Sequence, residues 1–197
     1  MFIELSEYLR CLNAHEDSYL VLATATLRGR DVLAGVLGCP VCRREYQIVL
    51  GDAVMGDPPA APAPPDDPGV PAGDALQAML DLASPGGYVM LVGSAASYVK
   101  PLGRVLQGVQ FIAVNPPSGM RSSATVSVIR SPEIPLKDAM VRGVLVGREC
   151  GAPWLAEAAR VVLPGRRVVA LREDVDPPAG VTELVRGMGA WVGERGR

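Results

Sequence analysis

The 197-residue sequence predicts an α/β fold in two modules: a small β module stapled by a metal ion over residues 1–56, and a shortened, doubly wound, mainly parallel sheet over residues 75–197. Three observations carry that reading. Cysteine and histidine stand at metal-ligand spacing within the first 56 residues. Prolines crowd residues 57–74. Beyond them, continuous apolar runs alternate with segments of helical spacing.

In the first module, Tyr19–Leu27 and Val32–Leu37 are rich in Val, Leu and Thr and read as two strands joined by the turn Arg28-Gly29-Arg30-Asp31. Cys39-Pro40-Val41-Cys42 is a Cys-x-x-Cys knuckle, whose tight turn aims both thiolates at one point. Upstream stand Cys11 and His15, the chain's only histidine. Three thiolates and one imidazole satisfy tetrahedral Zn2+ with no open position, which describes a structural site. So few apolar residues in 56 need such a staple, and a short antiparallel sheet with two knuckles is a zinc ribbon. Two other readings stand beside it. A redox Cys-x-x-Cys normally opens a helix in a βαβ context, whereas Arg43–Leu50 alternates like a strand. His15 could instead lie at the surface, with Cys150 or water as the fourth ligand.

Residues 57–74 hold seven prolines, which remove backbone donors and fix φ, so neither helix nor sheet runs through. A semi-rigid, partly polyproline II linker is expected; a strap docked across an apolar surface is the alternative. The charge divides with the modules. Net charge is -2, yet residues 75–197 carry 14 basic against 10 acidic side chains. No global field draws the chain to nucleic acid, and a local excess of this size is a thin basis for an anionic partner. No apolar run spans a bilayer, and the acidic start, Met1–Glu7, lacks the order of a secretory signal. A soluble, cytoplasmic protein is expected.

In the second module, Asp74 is placed to cap a helix over 75–83, stopped by Ser84-Pro85-Gly86-Gly87. Tyr88–Val92, Val109–Val114, Ala124–Ile129, Val141–Val146 and Arg167–Leu171 read as strands, most of them apolar enough to be buried on both faces. A helix with Pro153 in its first turn runs over 153–162.

Two resemblances follow from particular residues. Leu37–Ile48, containing Cys39-Pro40-Val41-Cys42-Arg43-Arg44-Glu45-Tyr46, resembles the second knuckle of the small zinc-ribbon subunit that activates tRNA and release-factor methyltransferases. In that family the first knuckle is usually Cys-Pro-x-Cys; here it is Cys11-Leu12-Asn13-Ala14-His15. Residues 75–193 resemble the class I S-adenosylmethionine-dependent methyltransferase fold, a Rossmann-like sheet. The match rests on Trp154–Val169, where the family's "ARVL" helix leads into "RPGG", and on Ser131–Asp138, similar to its acidic-x-x-Leu-Pro-Phe segment. The family's final antiparallel hairpin is expected to be reduced, to Ala190–Gly193.

The resemblance implies a cofactor site at Gly93, Asn115 and Ser131, and the same comparison shows what is missing. Gly93 matches the first glycine of the family's loop, but Ala95 and Ser97 occupy the other two positions, and Leu91 replaces the acid. Val114-Asn115 stands where a carboxylate should hold the ribose; Ser131 replaces an aspartate; Arg142-Gly143 replaces another. Charge-assisted hydrogen bonds at roughly 1.5–3 kcal/mol each make their loss costly to affinity. The expected function is therefore a zinc-binding, methyltransferase-like protein with a degenerate cofactor site. It would act as a non-catalytic subunit or scaffold with a protein partner, as a hetero- or homo-oligomer. The alternative is an active S-adenosylmethionine-dependent methyltransferase acting on RNA, protein or a small molecule; a nucleic-acid-binding module is a third class. Asn115-Pro116-Pro117-Ser118 is similar to an amine-binding Asn-Pro-Pro-Tyr motif but follows the wrong strand. It reads more simply as a loop ending a strand. Cys150, with no second histidine to act as base, reads as an inert thiol.

Overall fold

The computed structural model describes residues 1–16, 18–64 and 73–197. A 3-10 turn, Ile3–Tyr8, buries Leu5 and leads to a hairpin of β1 (Val21–Arg28) and β2 (Asp31–Gly38). Gly29, at φ +59°, makes the reversal. β3 (Glu45–Val49) and the short β4 (Asp52–Val54) continue the antiparallel run.

Beyond the proline-rich stretch come α1 (Gly73–Leu80) and β5 (Tyr88–Val92). A 3-10 segment, Gly93–Tyr98, runs into α2 (Val99–Val105). Then follow β6 (Gln110–Val114), β7 (Val126–Arg130), β8 (Val141–Val146), α3 (Ala152–Val161) and β9 (Val162–Ala170). A hairpin of β10 (Val181–Gly187) and β11 (Ala190–Arg195) closes the chain.

Among the described residues these strands make one sheet, in the order β1-β2-β3-β4-β7-β6-β5-β8-β9-β11-β10. The strands from β7 to β9 are parallel. β5 has β6 on one side and β8 on the other, so the winding reverses there, and ligands of open α/β sheets bind at the strands' carboxyl ends beside such a reversal.

Alternation along the strands divides the core in two. Val89, Leu91, Phe111 and Ala113 pack under Leu76 and Leu80 of α1 and Leu102 of α2. Met90, Val92, Ile112 and Val114 face the other way, into a core that holds Leu155 and Ala158 of α3 together with Leu5, Leu37 and Tyr46. Residues before and after the proline-rich stretch therefore share one core. They also share the sheet, because β4 lies parallel to β7 with Ala53 opposite Ile129 and Val54 opposite Arg130. At this seam the buried Asp52 carboxylate accepts from Arg121 Nη1 at 3.0 Å and from the Ser122 N–H at 3.0 Å, with Arg130 Nη2 at 3.5 Å.

Several elements differ in extent from expectation. α1 starts at Gly73, so Asp74 lies inside its first turn, where Oδ1 accepts from the Ala75 N–H. The helix ends at Leu80 because Asp81 turns to φ +54°, ahead of the Ser84–Gly87 stop. β9 begins at Val162 rather than Arg167. The closing hairpin is complete rather than reduced: β11 pairs with β9, and Trp191, fully buried, donates Nε1–H to Glu183 at 2.8 Å. No helix is long and apolar enough to cross a membrane among the described residues. Of the expected linker, residues 65–72 lie outside the described residues; 57–64 carry no regular secondary structure.

Candidate functional site

The ligand atoms of Cys11, His15, Cys39 and Cys42 all lie within 4.8 Å of one another. Cys39 and Cys42 come together because their turn closes on itself. The Arg43 N–H bonds the Cys39 carbonyl at 2.9 Å, the Cys39 N–H bonds the Arg44 carbonyl at 2.8 Å, and Arg43 takes φ +60°. Cys11 is brought across by the N-terminal segment, whose Leu9 bridges to Leu136. Cys11 Sγ sits 3.6 Å from Cys42 Sγ, and Cys39 Sγ 3.3 Å from His15 Nε2. Metal–sulfur bonds near 2.3 Å and metal–nitrogen bonds near 2.0 Å at tetrahedral angles would place ligand pairs roughly 3.5–3.8 Å apart. These four residues could hold a metal ion, with no ligand position left over.

The surroundings prepare each ligand. His15 Nδ1 lies 2.7 Å from the Glu16 carbonyl, an acceptor that calls for the proton on Nδ1 and leaves Nε2 turned toward the thiols. Tyr46 Oη accepts from the Leu12 N–H at 2.9 Å and lies 3.1 Å from Cys11 Sγ, so its proton is available to a thiolate there. Burial first, and then the Cys11 contact, push the Tyr46 phenol up to about 12, so that proton stays on. Asn13 Nδ2 donates to Cys42 Sγ at 3.3 Å while Arg44 Nη1 holds Asn13 Oδ1 at 2.7 Å. The Cys42 thiol is pulled down to about 6, chiefly by the Arg44 backbone N–H. Cys150 lies elsewhere and takes no part in the group.

A second cluster forms at the carboxyl ends of β5, β6 and β8. Gly93 follows β5 at φ +65°, and a Cβ there would collide with the Glu149 carboxylate. That carboxylate accepts from the Ser94 N–H at 2.6 Å and from the Ser94 hydroxyl at 2.6 Å. Backbone N–H groups in the turn after the first strand of such a sheet are suited to an anionic ligand; here one of them receives the chain's own anion. Asn115, at φ +48° after β6, clamps Ser131 with both ends of its amide: Nδ2 donates to the Ser131 carbonyl at 2.6 Å and Oδ1 accepts the Ser131 N–H at 2.9 Å. The Ser131 hydroxyl is buried with no hydrogen-bond partner among the described residues.

The structure thus brings Gly93, Asn115 and Ser131 to one end of the sheet. Gly93 and Asn115 line a cavity of about 170 Å3 with Cys150 and Trp154, and Pro59, Ala60 and Pro62 form its facing wall. Pro59, Ala60 and Pro62, at the described start of the proline-rich stretch, thus lie beside this end of the sheet. Glu149 was not among the residues singled out from sequence; the available signal was an acid in the loop that faces Gly93.

The remaining residues of interest are structural. Burial, then the Glu149 charge, push the Cys150 thiol up to about 12, and Arg148 turns away to the Leu171 carbonyl. Arg142 stitches the turn before β5, with Nη1 on the Ser84 carbonyl at 2.8 Å and Nη2 on the Ser84 hydroxyl at 2.7 Å.

No family model and no curated protein matches the chain. Its mixed sheet is similar to methyltransferase folds among solved structures. One is a complex between the Haloferax volcanii Trm112 methyltransferase activator and a methyltransferase, at 14% identity over 64% of this chain and 90% of that one, TM-score 0.47. Another is the antibiotic-resistance methyltransferase Kmr, at 14% identity over 65% and 94%, TM-score 0.44. A third is geranyl diphosphate C-methyltransferase from Streptomyces coelicolor, at 14% identity over 50% and 43%, TM-score 0.40. At these identities and TM-scores the likeness says nothing of chemistry.

Proposed function

We propose that the chain is a zinc-binding, methyltransferase-like protein that acts as a non-catalytic subunit or scaffold in a protein complex. The observation that carries this reading is Glu149 seated on Ser94 beside Gly93. Any carboxylate ligand approaching the turn after β5 must displace an anion already bonded there. The amide of Asn115, the residue nearest in place to a ribose contact, is spent on Ser131. What space remains, about 170 Å3, falls below the roughly 300–1,000 Å3 of ordinary small-molecule pockets.

The four ligands supply the positive part of the function. Cys11, His15, Cys39 and Cys42 hold Zn2+ as a closed tetrahedral site, which supplies a fold-stabilising cross-link and no open position for chemistry. Cys11 and His15 are thereby tied to the β2–β3 knuckle. Tyr46 and Asn13 donate to the sulfurs, and the Glu16 carbonyl sets the imidazole tautomer.

Calorimetric titration of the zinc-loaded chain with S-adenosylmethionine tests this reading. No heat at high ligand concentration, with folded protein verified, is the expected result. Saturable micromolar binding would overturn it and make Gly93 and Asn115 cofactor contacts.

A further inference from the structure

The connection from β6 to β7 contains no helix. A crossover between parallel strands ordinarily lays a helix on the sheet, as α2 does between β5 and β6. Residues 115–125 run instead as turns and extended chain. Beside α2 they leave a groove of about 960 Å3, far larger than the cavity at the strand ends. Phe111 and Val126 form its floor, and Val99 and Met120 stand on its two sides. A helix about 10 Å across rising 1.5 Å per residue occupies roughly 120 Å3 per residue, so the groove holds about two turns.

Its charge has one sign. Lys100 and Arg104 are four residues apart on α2, an i, i+4 pair sharing one helix face; Arg121, already paired with Asp52, lies across the groove, and no Asp or Glu lines it. Lys100 and Arg104 are exposed, and neither makes an ion pair among the described residues. We propose that this groove docks an acidic amphipathic helix of a partner protein, which covers the sheet where the chain's own crossover helix is absent. The inference rests on the reading of the chain as a subunit of a protein complex. Apolar side chains at i, i+3 or i+4 and i+7 of the partner would meet Phe111 and Val126, and its flanking carboxylates would meet Lys100 and Arg104.

The test is selection from a displayed library of helical peptides about four turns long, panned against the full-length, zinc-loaded chain. The expected winners carry an apolar stripe flanked by Asp or Glu. Their binding, read by fluorescence anisotropy, weakens at least tenfold in a Lys100→Glu, Arg104→Glu variant and falls between about 50 and 500 mM salt. Thr125→Trp, which fills the groove from an exposed position on its rim, abolishes it. Thermal melts of each variant verify the fold. No enrichment, enrichment of basic or uncharged peptides, or binding indifferent to both variants overturns the proposal. Titration with S-adenosylmethionine probes the opposite feature, the strand ends. A bound cofactor would therefore sink the non-catalytic reading while leaving the peptide result to stand or fall by itself.

Discussion

Glu149 holds both donors of Ser94, accepting the backbone N–H and the side-chain hydroxyl at 2.6 Å each across 55 positions of sequence. The contact joins the loop after β8 to the turn after β5, the two strands beside the reversal of winding. Glu149 is exposed, so water can replace it on Ser94, and Glu149→Ala should cost only the net worth of the hydrogen bonds, about 0.5–1.5 kcal/mol. For a chain of this length that lowers the melting temperature by roughly 2–4 °C per kcal/mol. Glu149→Gln, which keeps one acceptor oxygen, should fall between. A Glu149→Ala protein that melts with the parent would show that the contact contributes nothing.

Metal content distinguishes the two candidate fourth ligands. Elemental analysis should find about one Zn2+ per chain, reduced to near zero by Cys11→Ser or Cys39→Ser and clearly diminished by His15→Ala. Cys150→Ser should leave it unchanged, since that thiol stands apart from the group. Retention of metal by His15→Ala together with its loss in Cys150→Ser would reverse the assignment.

The buried Cys150 gives stability a particular slope with pH. Its thiol titrates near 12 in the fold, pushed up by burial and then by Glu149, against an ordinary value of 9.0. The folded state therefore favours the protonated form. The contribution is intact below about pH 9 and is lost as pH rises from there toward 12. Urea unfolding between pH 8 and pH 10.5 should show a steeper decline for the parent than for Cys150→Ala. Parallel declines would mean that the thiol is not shielded. The same burial makes Cys150 resist alkylation by iodoacetamide at neutral pH in the native protein.

Asp52→Ala should weaken the β4–β7 seam. Its carboxylate is 3% exposed and serves Arg121, Arg130 and the Ser122 N–H at the β4–β7 seam. Arg121 is 58% exposed and Arg130 also donates to the Met120 carbonyl, so the main loss is the acceptor of the Ser122 N–H, at about 1–3 kcal/mol. Hydrogen exchange offers the local readout. The Met55 N–H, bonded to the Arg130 carbonyl at 2.8 Å, should lose protection in the variant before amides of β5 do. Uniform loss across the sheet would indicate global destabilisation instead of an opened seam.

What the sequence discloses and what it hides follow from the range of the interactions. The Cys39–Cys42 knuckle and the buried strands β5, β6 and β8 are legible because spacing and apolar runs are local. β4 is not: Asp52-Ala53-Val54 has no pattern of its own and becomes a strand through its pairing with β3 on one side and β7 on the other. β10 escapes notice for the opposite reason, since most of its residues face solvent and form no apolar run. At the strand ends, comparison of residue types shows which acids are missing but not that Glu149 enters the vacated place. That fact belongs to a tertiary contact. Arg142 likewise reads as a lost aspartate until the turn it stitches is seen.

The parallel pairing of β4 with β7 also sets a timetable. Val54 and its partner Arg130 are separated by on the order of 75 residues. At roughly 5–20 residues per second, a ribosome completes β4 about 4–15 s before β7 exists. Throughout that interval Asp52 meets water instead of Arg130, and one border of the hairpin sheet stands open. The knuckle and hairpin can close at once from their own ends. The sheet of β1 to β4 is thus made before β7 yet finished only after it, and a nascent chain arrested before β7 would present that open border to whatever lies nearby.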